Sequence, residues 1–182
     1  IFNKLVRVGK KVALIDKASD VATGASKANS GLVHSGYDPA PNSLKAKMNV
    51  RGSALFDALT KRLKVPFKRI GALVVGDDEK MIKNLYERGL QNGVKGLSIL
   101  NRDEILKKVP NIADGNLVAL YSKTAGVVSP YYLAISLADE GILNGGKVFL
   151  EEDLVTAEKE GEIFKITTKK NVFHAKNVVN SA

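Results

Sequence analysis

The chain has 182 residues, of which 45% are hydrophobic and 26% charged, and this composition is typical of a folded globular chain rather than a disordered one. The 28 Lys and Arg residues outnumber the 19 Asp and Glu residues, and the resulting net charge of +9 favours anionic ligands such as phosphates. The sequence contains no cysteine, which excludes disulfides, thiolate metal sites and thiol catalysis, so redox chemistry would require a bound cofactor.

The first predicted elements are a short helix, a turn at Gly9 and a strand over residues 12–15. The strand reads VALI, and a continuous apolar run predicts a strand buried on both faces of a parallel sheet. Asp16 follows at its carboxyl end, where ligands of open α/β sheets gather. Asp16 is therefore a candidate ribose-binding acid, although an isolated aspartate in this place is more often a turn residue, and the sequence lacks the Gly-x-Gly-x-x-Gly turn that precedes such an acid.

The polar stretch TGASKANSGLVHSGYD (residues 23–38) follows this strand. Small residues let a backbone approach a ligand closely, and hydroxyl, amide and ammonium groups donate hydrogen bonds to phosphate oxygens. The side chains that could do so are Thr23, Ser26, Lys27, Asn29 and Ser30. The alternative interpretation is a flexible surface loop.

His34 lies in the same stretch. A lone histidine is more often structural than catalytic, so its position alone assigns it no role. We expect no metal site, because the second histidine, His174, is distant in sequence and no partner lies at ligand spacing. His174 itself lies in an alternating segment and is predicted to be a surface residue.

The middle of the chain predicts alternating helices and strands. A helix capped by Asn42 or Ser43 runs to about Lys64, with apolar residues at helical spacing: Leu44, Met48, Leu55, Leu59 and Leu63. Strands are predicted over FKRIGALVVG (67–76) and LVALYS (117–122). Helices are predicted over MIKNLYERGLQNG (81–93), with Gly93 as the stop, over DEILKKV (103–109), with Asn101 and Glu104 as a capping-box-like start, and from Pro130 onward.

The last forty residues alternate apolar and polar positions, which predicts a small meander with a hairpin turn at Gly161. The segment NVV (177–179) predicts a final short strand. GILNGGKV (141–148) nearly spells a phosphate-binding P-loop, but a helix precedes it and a strand follows, which is the reverse of the order that such a loop requires. The fold class predicted from this pattern is mixed α/β.

One family resemblance extends over most of the chain. Residues 12–39, VALIDKASDVATGASKANSGLVHSGYDP, followed by SLKAK (43–47), resemble the FAD-dependent glycerol-3-phosphate dehydrogenase family, within the D-amino-acid-oxidase-like flavoproteins. The related L-2-hydroxyglutarate oxidases carry a similar NSG-x-x-H-x-G pattern followed by SLKA. The further matching stretches are FKRIGALVV (67–75), residues 126–158, and the terminal NVVNSA (177–182).

The resemblance implies a two-part α/β architecture. Residues 1–40 and 145–182 would form part of a Rossmann-like FAD-binding domain, and residues 41–144 part of a substrate-binding α+β region. The family's glycine turn would precede Ile1, so we expect an internal fragment of a larger enzyme. We also expect that the isolated 182 residues neither hold FAD firmly nor catalyse.

The resemblance also assigns roles around FAD. Asp16 would bind the adenosine ribose, with Lys17 nearby, and His34 would lie beside the flavin ring as a candidate catalytic base. The residues lining the pyrophosphate and flavin side would be Ser26, Lys27, Asn29 and Ser30. The backbone of Leu154 and Val155 would contact the adenine, and Ala182 would approach the cofactor from the last strand.

The implied reaction is the oxidation of glycerol 3-phosphate to dihydroxyacetone phosphate by hydride transfer to flavin. An L-2-hydroxyglutarate-type 2-hydroxyacid oxidase is the alternative, and either small substrate is anionic. A nucleic-acid-binding module is set aside, because Lys and Arg residues are scattered rather than clustered and aromatic residues do not alternate with them. The resemblance implies a cytoplasmic location, and it leaves open an electron-acceptor subunit and a peripheral association with the inner face of a membrane.

Overall fold

The computed structural model describes residues 1–115 and 117–181. The helices are α1 (Phe2–Arg7), α2 (Leu44–Leu63), α3 (Glu79–Gln91), α4 (Arg102–Lys108) and α5 (Pro130–Leu143). The strands are β1 (Ala13–Ile15), β2 (Leu32–Val33), β3 (Phe67–Lys68), β4 (Ala72–Gly76), β5 (Leu97–Leu100), β6 (Val118–Ser122), β7 (Gly126–Val128), β8 (Lys147–Phe149), β9 (Leu154–Glu160), β10 (Ile163–Thr168) and β11 (Val172–Ala175). The chain divides into two compact units, one formed by residues 1–29 and 130–182 and the other by residues 30–129.

In the first unit, β1 pairs with β8 in parallel, with Ala13 opposite Lys147. Helix α1 packs on α5, where the Asn3 amide donates to the carbonyl of Leu137 (3.0 Å). The parallel pairing predicted for β1 is confirmed, but its predicted full burial is wrong. Ala13 is exposed and the next two residues are half-buried, because β8 is the one strand among the described residues that pairs with β1.

The first unit also contains an antiparallel meander in the order β11-β10-β9, and its hairpin at Gly161 confirms the predicted turn. Ile166 of β10 is buried, and the ring of Phe173 packs edge-on against Phe149 at 4.9 Å between centroids. The strand predicted over residues 177–179 is wrong. Those residues pair with no strand in the described part of the chain, and an apolar run without a partner does not form a ladder.

The second unit contains two antiparallel sheets of three strands. The first has the order β4-β6-β5 and packs against α3 and α4. Its core includes Leu100, Ile105 and Ala119, and Ile82 of α3 is fully buried. The second sheet has the order β2-β7-β3. Strand β2, which immediately precedes His34, is therefore an edge strand that pairs with β7.

The single strand predicted over residues 67–76 is instead two strands in different sheets. Gly71 between them has a φ of +76°, a backbone conformation that breaks an extended run. Arg69 turns its side chain toward α2, donating to Ser53 Oγ (3.0 Å) and to Asp57 (2.6 Å). It also donates to the carbonyl of Thr124. These contacts tie α2 to the turn between β3 and β4.

Helix α2 is confirmed, but three of the apolar residues at helical spacing are exposed. Leu44, Met48 and Leu55 are 71%, 50% and 55% exposed. The side chains that pack inward are small and lie seven residues apart: Ala46, Ser53 and Thr60. The helical spacing of apolar residues predicted that this segment is a helix. Its buried face could not be predicted from hydrophobicity, because the residues that pack inward are small.

The predicted helix starts are largely confirmed. Of the two candidates for the α2 cap, Ser43 is the residue used, and its Oγ accepts the N–H of Ala46 (3.1 Å). Asn101 and Glu104 form the reciprocal capping box at α4, with bonds of 3.0 and 2.9 Å. Helix α5 begins at Pro130. In the described part of the chain, no helix combines the length and apolar character needed to cross a membrane.

Candidate functional site

The carboxyl end of β1 lies against the segment that joins β8 to β9. The N–H of Asp16 donates to the carbonyl of Phe149 (3.0 Å), which continues the parallel ladder by one bond. The carbonyl of Asp16 then accepts the N–H of Glu152 (2.9 Å), and Ala18 accepts the N–H of Glu151 (2.9 Å). Backbone bonds therefore fix the residue after β1 relative to the start of β9.

The Asp16 carboxylate is exposed at this strand end. Its Oδ1 accepts the N–H of Ala18 (2.9 Å), and no hydrogen bond within residues 1–115 and 117–181 reaches its second oxygen. The hydrogen bond from the Lys169 ammonium (2.7 Å) lowers the pKa of Asp153, and the charge of Lys17 adds a smaller effect in the same direction. Lys17 lies between Asp16 and Ala18, whose carbonyls accept the N–H groups of Glu152 and Glu151 just before β9.

A β-bulge lies at the start of β9. Leu154 pairs with Thr168 and Thr156 pairs with Thr167, so Val155 has no partner in this register. Leu154 and Val155 are each 58% exposed. Asp16, Lys17, Leu154 and Val155 thus lie at one end of the first unit, and we refer to these four residues as the strand-end cluster.

The polar residues 23–29 form a compact turn in the first unit. The N–H groups of Lys27 and Ala28 both donate to the carbonyl of Gly24, at 3.1 and 3.3 Å. The Asn29 amide donates to the carbonyls of Ala25 (2.9 Å) and Ser26 (3.3 Å), so Asn29 holds the turn together. The polar side chains Thr23, Ser26, Lys27 and Asn29 are all exposed. Ser30, the next residue, is also exposed and begins the second unit.

His34 is exposed and follows β2 in the second unit. Strand β2 is held by its antiparallel pairing with β7, in which Val33 lies opposite Gly126. Gly36 has φ of +105°, and a Cβ there would lie 2.8 Å from Val50 Cγ2 of α2. A residue with a side chain would be strained at this position, which explains the glycine two residues after the histidine.

The residues after His34 are anchored by side chains of the same unit. The hydroxyls of Ser35 and Ser122 share a buried hydrogen bond of 2.6 Å. The Asn92 amide donates to the carbonyls of Gly36 (2.9 Å) and Pro39 (2.8 Å). We refer to residues 34–40 as the His34 loop. Fixed backbone on either side of an exposed imidazole restricts the directions in which that imidazole can act.

Burial raises the pKa of Tyr37 in the His34 loop, and the neighbouring charge of Asp38 raises it further. A raised phenol pKa keeps the side chain neutral at physiological pH. The carbonyl of Asp38 accepts a hydrogen bond from Arg88 of α3 (2.9 Å). The His34 loop therefore carries an exposed histidine and a neutral phenol, and its one acidic residue, Asp38, is exposed.

The chemistry of these groups fits an adenine dinucleotide. The strand-end cluster offers a carboxylate for ribose hydroxyls and an exposed apolar surface beside it. The bulge leaves backbone groups of Val155 outside the ladder, where they could pair with a flat heterocycle. The turn at residues 23–29 offers hydroxyls and one ammonium to phosphate oxygens.

Residues 4–182 match the protein family described as FAD dependent oxidoreductase. The chain belongs to this family. This flavoprotein family binds FAD. The observed α/β fold is the one that the resemblance implied.

Three known proteins show how far the similarity extends. The glycerol 3-phosphate dehydrogenase of Caloramator mitchellensis is 43% identical over 185 residues, which cover 100% of this chain and 38% of that protein. The mitochondrial L-2-hydroxyglutarate dehydrogenase of Mus musculus is 35% identical over 143 residues, covering 77% of this chain and 30% of that protein. The chain thus spans well under half the length of these curated relatives.

Among solved structures, the dithionite-reduced L-alpha-glycerophosphate oxidase of Mycoplasma pneumoniae with FAD bound superposes with a TM-score of 0.83. The match covers 93% of this chain and 47% of that one at 24% sequence identity. This likeness confirms the mixed α/β fold predicted from the sequence.

Sequence reasoning missed the residues that support the two candidate regions. Glu152 is buried, although it lies in an acidic run that reads as a solvated surface. Asn92 reads as the end of a helix beside Gly93, and Ser122 as the end of a strand. No local signal marks these three residues, because their partners are distant in sequence. Ala182, predicted to approach the cofactor, lies outside the described residues.

Proposed function

We propose that these residues form part of an FAD-dependent dehydrogenase that oxidises glycerol 3-phosphate to dihydroxyacetone phosphate. The observation that carries the proposal is the 43% identity to a glycerol 3-phosphate dehydrogenase over the whole of this chain. The L-2-hydroxyglutarate dehydrogenases that match it are 32–35% identical, so a 2-hydroxyacid substrate is the second candidate.

The first compact unit is proposed as part of the FAD-binding domain and the second as part of the substrate-binding region. Asp16 would accept hydrogen bonds from the adenosine ribose, with Lys17 beside it. Leu154 and Val155 would offer backbone contacts to the adenine, a role that the bulge at Val155 supports.

The hydroxyl-bearing residues are proposed to serve the pyrophosphate. Ser26, Lys27 and Ser30 are exposed and can donate hydrogen bonds or charge to its oxygens. Asn29 would contribute through the shape of the turn, since its amide bonds to carbonyls within that turn. Ala182 is proposed to approach the cofactor, as expected from the terminal NVVNSA sequence.

His34 is proposed as the base. When bound, the flavin supplies the acceptor for the hydride that leaves the carbinol carbon of the substrate. The exposed imidazole of His34 would take the proton of the hydroxyl group as the carbonyl of the product forms. The bonds that anchor the His34 loop would hold the imidazole in one orientation during this transfer.

Steady-state turnover of the full-length protein tests the substrate. With an artificial dye as electron acceptor, we expect kcat/KM for glycerol 3-phosphate to exceed that for L-2-hydroxyglutarate by about tenfold or more. The reverse order would establish the second candidate. A flavin-loaded protein that reduces the dye with neither compound would contradict both.

A further inference from the structure

Glu152 is a buried carboxylate that the proposed chemistry does not use. It lies between β8 and β9, and only 5% of its surface is exposed. The side chains of its neighbours Glu151 and Asp153 are 64% and 44% exposed, as expected for charged residues. Burying a carboxylate carries a large desolvation cost unless hydrogen bonds compensate it, so the contacts of Glu152 indicate what it does.

Two side chains of the meander donate to Glu152. The hydroxyl of Thr168, itself 5% exposed, donates to Oε2, and the amide of Asn171 donates to Oε1. The N–H of Asn171 also donates to the Thr168 hydroxyl oxygen (2.9 Å). Both carboxylate oxygens are thus satisfied by the turn that joins β10 to β11.

The backbone around Glu152 connects this turn to the strand-end cluster. The N–H of Glu152 donates to the carbonyl of Asp16 (2.9 Å), and the N–H of Lys169 donates to the carbonyl of Asp153 (3.0 Å). The bulge at Val155 follows two residues later. The Glu152 side chain therefore fixes a segment that bonds to the ribose-binding candidate and leads directly into the bulge.

We propose that Glu152 is a positioning residue for the adenosine half of FAD. It does not contact the dinucleotide; it holds the backbone of Asp16 and of Leu154–Val155 in the arrangement that binds ribose and adenine. This inference rests on the proposed FAD-binding role of the strand-end cluster. A residue that only stabilised the fold would lower the unfolding temperature without changing the affinity of the folded protein.

The test is ligand binding to the full-length apoprotein at a temperature where each variant is folded. In Glu152→Gln, an amide NH₂ group replaces one acceptor and faces a donor. We expect the Kd for FAD, measured by flavin fluorescence, to rise about tenfold to a hundredfold. The Kd for ADP, measured by calorimetry, is expected to rise by the same factor, because ADP contains the adenosine half.

Glu160→Gln is the matched control. Glu160 is the last residue of β9, where it pairs with Lys165 at 3.6 Å, and the substitution changes the charge by the same amount. Its Kd values are expected to equal those of the wild type. Thr168→Val, which removes the hydroxyl donor, should raise the Kd values for FAD and for ADP. Thr168→Ser, which keeps the hydroxyl, should give the Kd values of the wild type. This pair decides the matter if Glu152→Gln does not fold.

Two results overturn the inference while leaving the function intact. One is that the wild type binds FAD and that the Glu152→Gln and Thr168→Val variants bind it with the same Kd. The other is a loss of affinity for FAD without any loss for ADP, which would place the effect at the flavin half. A wild type that binds no FAD would contradict the proposed function and this inference together.

Discussion

His34 is exposed, whereas the backbone that follows it is anchored by buried or half-buried groups. The Ser35–Ser122 hydroxyl pair and the Asn92 amide hold the loop through contacts whose partners lie more than fifty residues away. An exposed side chain on fixed backbone is the usual arrangement of a residue that acts on a ligand. The arrangement gives His34 a testable role that His174 lacks.

His34→Gln is expected to lower kcat by about 10²- to 10⁴-fold, because the substitution removes a proton acceptor and keeps a polar side chain of similar size. The measurement is dye-coupled turnover of the full-length protein with glycerol 3-phosphate at saturating FAD. His174→Gln is the control, since His174 is an exposed residue of β11. A His34→Gln enzyme with the kcat of the wild type would remove His34 from the mechanism.

Asp57 provides a pH-dependent contribution to stability. Its hydrogen bonds from Arg69 lower the pKa of Asp57 below the ordinary value of 3.8. A carboxyl whose pKa is lower in the folded state stabilises that state above its ordinary pKa, and the contribution is lost as the pH falls through the lowered value. The contribution is modest, because 63% of the Asp57 side chain is exposed to solvent.

We therefore expect Asp57→Asn to be less stable than the wild type at pH 7 and equally stable well below pH 3.8. The measurement is urea unfolding at a series of pH values from neutral to acid. Asp139→Asn, a substitution of an exposed aspartate on α5, is the control. A difference between Asp57→Asn and wild type that stays constant over the whole series would show that the Arg69 contact does not depend on the charge of Asp57.

At the scale of the elements, two glycines in helices have opposite surroundings. A Cβ at Gly89 of α3 would collide with Leu97 Cδ1 and would lie 3.0 Å from Tyr37 Cβ. A Cβ at Gly52 of α2 would meet nothing within 4 Å. Gly89 therefore allows α3 to approach β5 and the His34 loop, whereas Gly52 only reduces the helix propensity of α2.

Gly89→Ala is expected to lower the free energy of unfolding by about 1–3 kcal/mol, since the added methyl group overpacks the contact. Gly52→Ala is expected to raise it by up to about 1 kcal/mol through helix propensity. Both values come from urea unfolding of the same protein. Equal effects of the two substitutions would show that the α3 contact relaxes without cost.

In the molecule as a whole, the two compact units carry different functional groups. The first unit carries the strand-end cluster on a parallel pair of strands and a meander. The second carries His34 on antiparallel strands supported by helices, and most of the excess of Lys and Arg over Asp and Glu lies there. A positive unit suits an anionic substrate, and a strand end with an exposed acid suits a dinucleotide.

Local features could be predicted from the sequence alone. Neighbouring residues predicted the capping box at Asn101, the start of α5 at Pro130 and the hairpin at Gly161, because caps and turns depend on contacts a few residues apart. The parallel strand before Asp16 was predicted from its continuous apolar run. Motif similarity also identified the flavoprotein family, since the pattern from Asn29 to Gly36 is contiguous.

Which faces pack and which polar groups are buried could be seen in the folded structure but not predicted from the sequence. In that structure, Leu55 points outward, the segment around Gly71 is divided between two sheets, and Glu152 is buried against Thr168. The physical reason is that burial depends on partners far away in sequence, and an acidic or apolar residue has the same local pattern whether or not such a partner meets it.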